Sequence, residues 1–247
     1  NSTYNSFQAA LEKRFSAGLA FLLNYTWSHS LDNASQPTAN GGAQNAHALA
    51  LEHASSDFDM RHRFVASWSY ELPIGRGKPI LHSGTGIAEA VAGGWQLNAI
   101  QYVNSGMPFT PVMAGNLNTL NGTGTQRPDR IGSGVLHSGR NPSHWFDQTA
   151  FKTPAPYTFG NSGRNILTGP RQVNSDVSLF KNFTFGAEAR RYLQFRTEVF
   201  NVFNTPQFNN PNASIGDPSV TRITSAGATN TFVGANRQIQ FSLKLYF

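Results

Sequence analysis

The chain closes, over residues 237–247, on RQIQFSLKLYF, a stretch whose side chains alternate to the last position. Ile239, Phe241, Leu243, Leu245 and Phe247 share one face of an extended strand, and Gln238, Gln240, Ser242, Lys244 and Tyr246 share the other. A period of two sustained this far specifies a strand with one apolar face and excludes a helix. The pattern recurs upstream. Residues 6–14 set Phe7, Ala9 and Leu11 against Gln8, Glu12 and Arg14. Residues 19–28 set Leu19, Phe21, Leu23, Tyr25 and Trp27 against Asn24, Thr26 and Ser28, with Leu22 out of phase. Residues 61–72 set Phe64, Ala66, Trp68, Tyr70 and Leu72 against Arg63, Ser67, Ser69 and Glu71, with Val65 out of phase. A less regular strand is read at 95–104. Another at 173–185 opposes Val177, Leu179 and Phe183 to Asp176, Ser178 and Asn182, and one at 192–203 opposes Leu193, Phe195 and Val199 to Gln194, Arg196 and Glu198. The phase slips at Phe200, which marks a bulge or the end of that strand. No segment reads as a helix of useful length; the best candidate, GIAEAVAGG around Glu89, is short and ends in glycines.

The links between these strands alternate in length. The turn at Ser16, Ala17 and Gly18 and the segment FGAEARR are short, and the link carrying PIGRGKP is intermediate. The links near 29–60, 105–172 and 204–236 are long. An antiparallel meander with short turns at one end and long loops at the other has the anatomy of an outer-membrane β-barrel. If the short turns are periplasmic, the first strand descends and the seventh also descends, so the C-terminus lies in the periplasm.

A soluble β-sandwich would explain the alternation strand by strand, since its apolar faces meet in a shared core. Three features favour a bilayer instead. Strands of about ten to twelve residues exceed the usual five or six and match the length that crosses hydrocarbon with tilt. Aromatic residues gather toward strand ends (Tyr25, Trp27, Trp68, Tyr70, Tyr192, Tyr246 and Phe247), where a membrane interface suits them. The long segment before Val173 fits poorly in a compact sandwich. Composition agrees: only 13% of residues are charged and 39% apolar, yet 12% are aromatic, with 19 phenylalanines. The longest apolar run, GLAFLLNY at 18–25, is far too short for a membrane-spanning helix. Seven strands are an odd number and fewer than the smallest single-chain barrels hold, and open edges in lipid cost several kcal/mol per unsatisfied backbone group. The chain is therefore expected to be the C-terminal part of a larger barrel.

The segments DMRHRFVASWSYELPIGRGK, GGWQLNAIQYVNSGMPFTP, FGNSGRNILTGPRQVNSDVSLFKNF and LQFRTEVFNVFNTPQF, with the terminal FSLKLYF, resemble the C-terminal barrel portion of TonB-dependent outer-membrane receptors. The nearest group is the Oar-like receptors that carry a carboxypeptidase-regulatory-like domain. The resemblance spans nearly the whole chain in order. It implies an all-β, antiparallel transmembrane barrel of roughly 22 strands, of which residues 1–247 supply about seven. It further implies long extracellular loops, an internal plug domain and TonB box preceding Asn1, and residence in the outer membrane of a Gram-negative bacterium. The implied function is energised uptake of a scarce solute, a siderophore, an oligosaccharide or similar; a secretion or adhesion barrel whose loops bind surfaces is the alternative. Phe241, Leu243, Leu245 and Phe247 match the C-terminal signal read by the barrel-assembly machinery. Outer-membrane lipid, the plug and TonB are the remaining implied partners.

Little chemistry is legible beyond this. No motif for nucleophilic catalysis, phosphate binding or zinc hydrolysis is present, so no enzyme activity and no cofactor is expected. Cysteine is absent, which excludes disulfides and thiolate metal sites. The basic residues behind the net charge of +6 are scattered in ones and twos rather than gathered in a stripe, so nucleic acid is not an expected partner. His29, Asp32, His47, His53, Asp57, Asp59 and His62 cluster around the second link, but none has helical metal-ligand spacing and no metal site is assigned. QRPDR at 126–130 places Arg127 and Arg130 beside Asp129 on the largest loop, as a forked contact for an anionic ligand or as a loop-stabilising Arg and Asp pair. The inner-face residues Glu12, Arg14, Arg63, Glu71, Asp176, Arg196, Glu198 and Lys244 would line a wet lumen as a charge ladder that positions the plug.

Overall fold

The computed structural model describes residues 1–35, 43–45, 47–75, 77–81, 86–115, 126–185, 191–227 and 236–247. Seven long strands form one sheet in sequence order: β1 (Ser2–Ser16), β2 (Leu19–Asp32), β3 (His62–Glu71), β4 (Trp95–Asn104), β5 (Gln172–Phe185), β6 (Arg191–Phe200) and β7 (Gln238–Tyr246). Every neighbouring pair is antiparallel. An eighth strand, Ala54–Ser55, adds to the outer end of β2. The chain is thus all-β and mostly antiparallel, with the long strands where the alternation places them. β1 is longer than its expected 6–14. The slip at Phe200 is a strand end, since the chain turns at Asn201 with φ 49°. The helical candidate forms α1 (Gly86–Ala92), in the link between β3 and β4.

Directly paired residues share a face, so the register sorts the side chains across the whole sheet. One row runs Tyr70, Leu97, Leu179, Thr197, Phe241, and the next on that face runs Trp68, Ala99, Val177, Val199, Ile239. The intervening row on the other face runs Ser69, Asn98, Ser178, Glu198, Gln240. Leu22 and Val65, out of phase in the sequence, sit on the polar face opposite Ser67 and Asn24. Tyr192 and Tyr246 do not belong with the membrane-interface aromatics: their rings stack at 4.4 Å on the polar face, in line with Gln194 and Lys244.

The apolar face is not a protein core. Of its apolar side chains among the described residues only Ala66 and Ala99 are buried, small groups screened by larger neighbours such as Leu23 and Trp68 across the ladder. Phe7, Phe241 and Leu243 remain 60%, 69% and 64% exposed, and among the described residues no second sheet lies over them. The buried apolar cluster lies elsewhere, in the long links. A soluble sandwich would bury this face, so the sheet requires an apolar surrounding that the described residues do not supply.

At the short-link end, β1 and β2 join through Ala17 and Gly18 at φ 51° and 79°. Two positive φ values in a two-residue connection match the twist of the flanking strands. Gly18→Ala should lower stability by about 1–2 kcal/mol, because an L side chain is strained in this conformation. Ala17→Gly should do the opposite, and urea-unfolding midpoints of the two variants check both signs.

Candidate functional site: the outer loop assembly

The three long links fold onto one another at the end of the sheet opposite the short turns. Their interior is a cluster of Phe109, Met113, Phe146, Ala150, Phe151, Leu167 and Ile215, with Trp145, Ile166, Ala213 and Val220 packed around it. Three two-stranded ladders frame the cluster: 108–109 with 167–168, 112–113 with 214–215, and 129–130 with 151–152. Phe146 meets both Phe109 and Phe151 at ring distances of 5.7 and 6.1 Å. The Asp147 carboxylate caps the turn that delivers Ala150 and Phe151. It accepts hydrogen bonds from the Thr149 hydroxyl and backbone N–H, which hold its pKa below the usual carboxylate value. That support is present above the carboxyl's unfolded pKa and is lost as pH falls through its depressed folded value.

Two arginines pin the largest link to the second. Arg127 is 4% exposed and forks onto the equally buried Glu52 at 2.7 and 2.9 Å. Arg164 donates to the Asp32 carboxylate and carbonyl, to Ser35, to Asp57 and to the Glu52 carbonyl. Gln44 reinforces the junction, accepting from Arg127 N–H and donating to the Gly160 carbonyl. At Gly160 the backbone runs so close to Arg127 and Pro128 that a Cβ would overlap the Arg127 carbonyl. Exposed beside this junction, on the same segments, stand Leu49, Leu51, Tyr157 and Phe159.

This geometry redistributes the residues singled out from the sequence. Arg127 turns inward, its planar fork taken by Glu52, and Arg130 donates to the Gly132 and Ser133 carbonyls, while Asp129 accepts from the Asn161 backbone. The loop-stabilising partner is therefore Glu52, a residue 75 positions away, not Asp129. The histidine and aspartate group is likewise engaged structurally. Asp59 bonds His29 at 3.0 Å, Arg61 at 2.9 Å and the Ser30 N–H at 2.8 Å. Asp32 and Asp57 serve Arg164, His53 meets Asn33, His62 meets the Tyr25 hydroxyl, and the His47 backbone N–H bonds Asn45. Among the described residues no set of three such side chains is arranged to hold a metal ion.

On the sheet, Arg63, Glu71, Asp176, Arg196, Glu198 and Lys244 all fall on the polar face, with Glu12. They do not form one continuous ladder. Arg196 pairs with Glu198 at 3.3 Å and lies 4.0 Å over the Phe180 ring; Glu71 pairs with Lys78 at 2.9 Å, and Glu12 with Arg14 at 3.7 Å. Asp176 accepts from the Asn201 backbone and the Asn174 amide. Phe241, Leu243 and Leu245 line up on the opposite, apolar face, with Phe241 stacked 6.5 Å from Phe195, and Phe247 follows the end of β7, 97% exposed.

Arg127→Ala strands a buried carboxylate, a change that costs about 3–5 kcal/mol where no partner replaces the lost charge. The outer assembly should become sensitive to limited proteolysis while the strands stay protected. Gly160→Ala should act the same way through backbone overlap, and an unchanged digestion pattern in both variants would contradict the packing described.

The comparisons with known proteins agree with a membrane role for the apolar face. No curated protein and no solved structure matches the chain. The family profile of the outer membrane beta barrel domain matches residues 1–240. The chain belongs to the outer membrane beta barrel domain family and resides in the outer membrane of a Gram-negative bacterium.

Proposed function

We propose that the chain forms the C-terminal part of the barrel wall of a TonB-dependent receptor of the Oar-like group, which takes up a scarce solute with energy from the inner membrane. The observation that carries a solute pathway is the sorting of charge. Six charged residues spread over β3, β5, β6 and β7 all stand on the face opposite Phe241, Leu243 and Leu245. With lipid on one side, the other is a polar lumen lined by Arg63, Glu71, Asp176, Arg196, Glu198 and Lys244. The TonB-dependent assignment itself rests on the sequence resemblance.

The sheet also supports a larger wall. Seven strands that are antiparallel to each neighbour leave β1 and β7 running in the same direction. An antiparallel barrel therefore closes only with an odd number of further strands between them, and a backbone edge left open in hydrocarbon is too costly to persist. A plug domain of the same receptor fits against the polar face. The outer assembly supplies the entrance, and Phe241, Leu243 and Leu245 with the terminal Phe247 supply the signal for barrel insertion. An adhesion or secretion barrel is the second reading, favoured by the exposed Leu49, Leu51, Tyr157 and Phe159 on a loop assembly with its own core.

A photo-crosslinker at Ser242, on the polar face opposite Arg196, separates the two. In the protein purified from outer membranes the receptor reading predicts an intramolecular cross-link to a plug; a hollow lumen with none contradicts it. Reversal of the partly exposed Arg196 and Glu198 pair should change stability by only about 1 kcal/mol or less. It should nevertheless alter plug retention or uptake, and unchanged transport would count against a lumen role for the pair.

A further inference from the structure

We propose that α1, in the link between β3 and β4, is an interfacial anchor that lies on the lipid side of the wall and inserts Ile87 and Val91 among the phospholipids of the inner leaflet. The helix sits at the short-link end, over the apolar face and not the lumen. Three contacts fix it there. The Trp95 indole N–H donates to the Val91 carbonyl at 2.8 Å. The Lys181 ammonium donates to the Val91 and Gly93 carbonyls. The same ammonium lies 5.4 and 5.2 Å from the Trp95 and Phe183 rings. Trp95, Lys181 and Phe195 form one row of the apolar face, so whatever these side chains hold is held outside the wall.

Lys181 stands on a lipid-facing row yet is only 4% exposed, because α1 covers it. Its charge satisfies the free carbonyls where the helix ends, as a cation at a helix C-terminus does. The Glu89 carboxylate lies on the inner side, against Gly75 and Gly93. Ile87 and Val91, four residues apart and hence on one helix face, point away from the protein and are 84% and 63% exposed. An isolated helix of seven residues would not form in water. Here the wall holds it, and among the described residues no protein covers its outward apolar pair. The occupant follows from continuity: the row beneath α1 belongs to the face that a barrel of this family turns to lipid, and α1 extends that face at the periplasmic rim. Amphipathic helices in such a position bury their apolar side about 5–10 Å into the boundary between headgroups and acyl chains.

The sequence contains no cysteine, so a nitroxide can be placed singly within it. Ile87→Cys and Val91→Cys are both at exposed positions and should leave the fold intact. The labelled protein, reconstituted in phospholipid vesicles, is read by power saturation with oxygen and with a water-soluble nickel chelate, against labels at Phe241 on the apolar face and Ser138 on the outer loops. The proposal predicts that both α1 labels resemble Phe241, with oxygen collisions exceeding nickel collisions and a depth near the headgroup boundary. Labels that behave like Ser138, open to nickel, would overturn it, as would labels shielded from both reagents, which would place protein over the helix.

Discussion

Backbone hydrogen bonding in a medium without water is the constraint on which the rest depends. Every N–H and C=O of a strand that crosses hydrocarbon must find a partner in a neighbouring strand, since each one left free costs several kcal/mol. That requirement turns a set of half-apolar strands into a continuous ladder and fixes which face each side chain occupies. It also explains why the apolar face can hold phenylalanines and leucines with no protein over them among the described residues, while the polar face carries seven of the eight charges expected there, all but Arg14, which the register does not pair. Lys181, a lysine on a lipid-facing row, obeys the same logic by having its ammonium covered and bonded.

The outer assembly solves a different problem. Long links above a barrel lose much conformational entropy when ordered, and they recover it here with a small apolar cluster and two buried ion-pair junctions. Buried charges add little net stability compared with apolar packing, but removing one partner is heavily penalised. Arg127 with Glu52, and Arg164 with Asp32, therefore fix which link packs on which more than they add to total stability.

The seven strands were legible because a period of two is a local signal, repeated at each crossing. β4 was found at its observed bounds although its alternation is imperfect, whereas the short helix α1 stood only as an unconvincing candidate, because seven residues carry too little period to specify it. The eighth strand, Ala54–Ser55, is too short to show any period. The loop junctions were not legible for a physical reason. Arg164 reaches Asp32 across 132 positions and Arg127 reaches Glu52 across 75, and no local pattern encodes a partner that distant. Arg127 drew notice only through its neighbours in QRPDR, which turned out not to be its partners. Tyr192 and Tyr246 were grouped with the interface aromatics by their position along the strands, although the alternation already puts both on the polar face; that their rings stack on each other is a property of the paired sheet.

The central claim is that hydrocarbon covers the apolar face. A carbene precursor carried on phospholipid acyl chains tests it residue by residue, with the protein in bilayers and modification mapped by mass spectrometry. The account predicts labelling at Leu97, Leu179 and Phe241 and none at the adjacent Asn98, Ser178 and Gln240. Equal labelling of both sets, or none at Leu179 and Phe241, would contradict it.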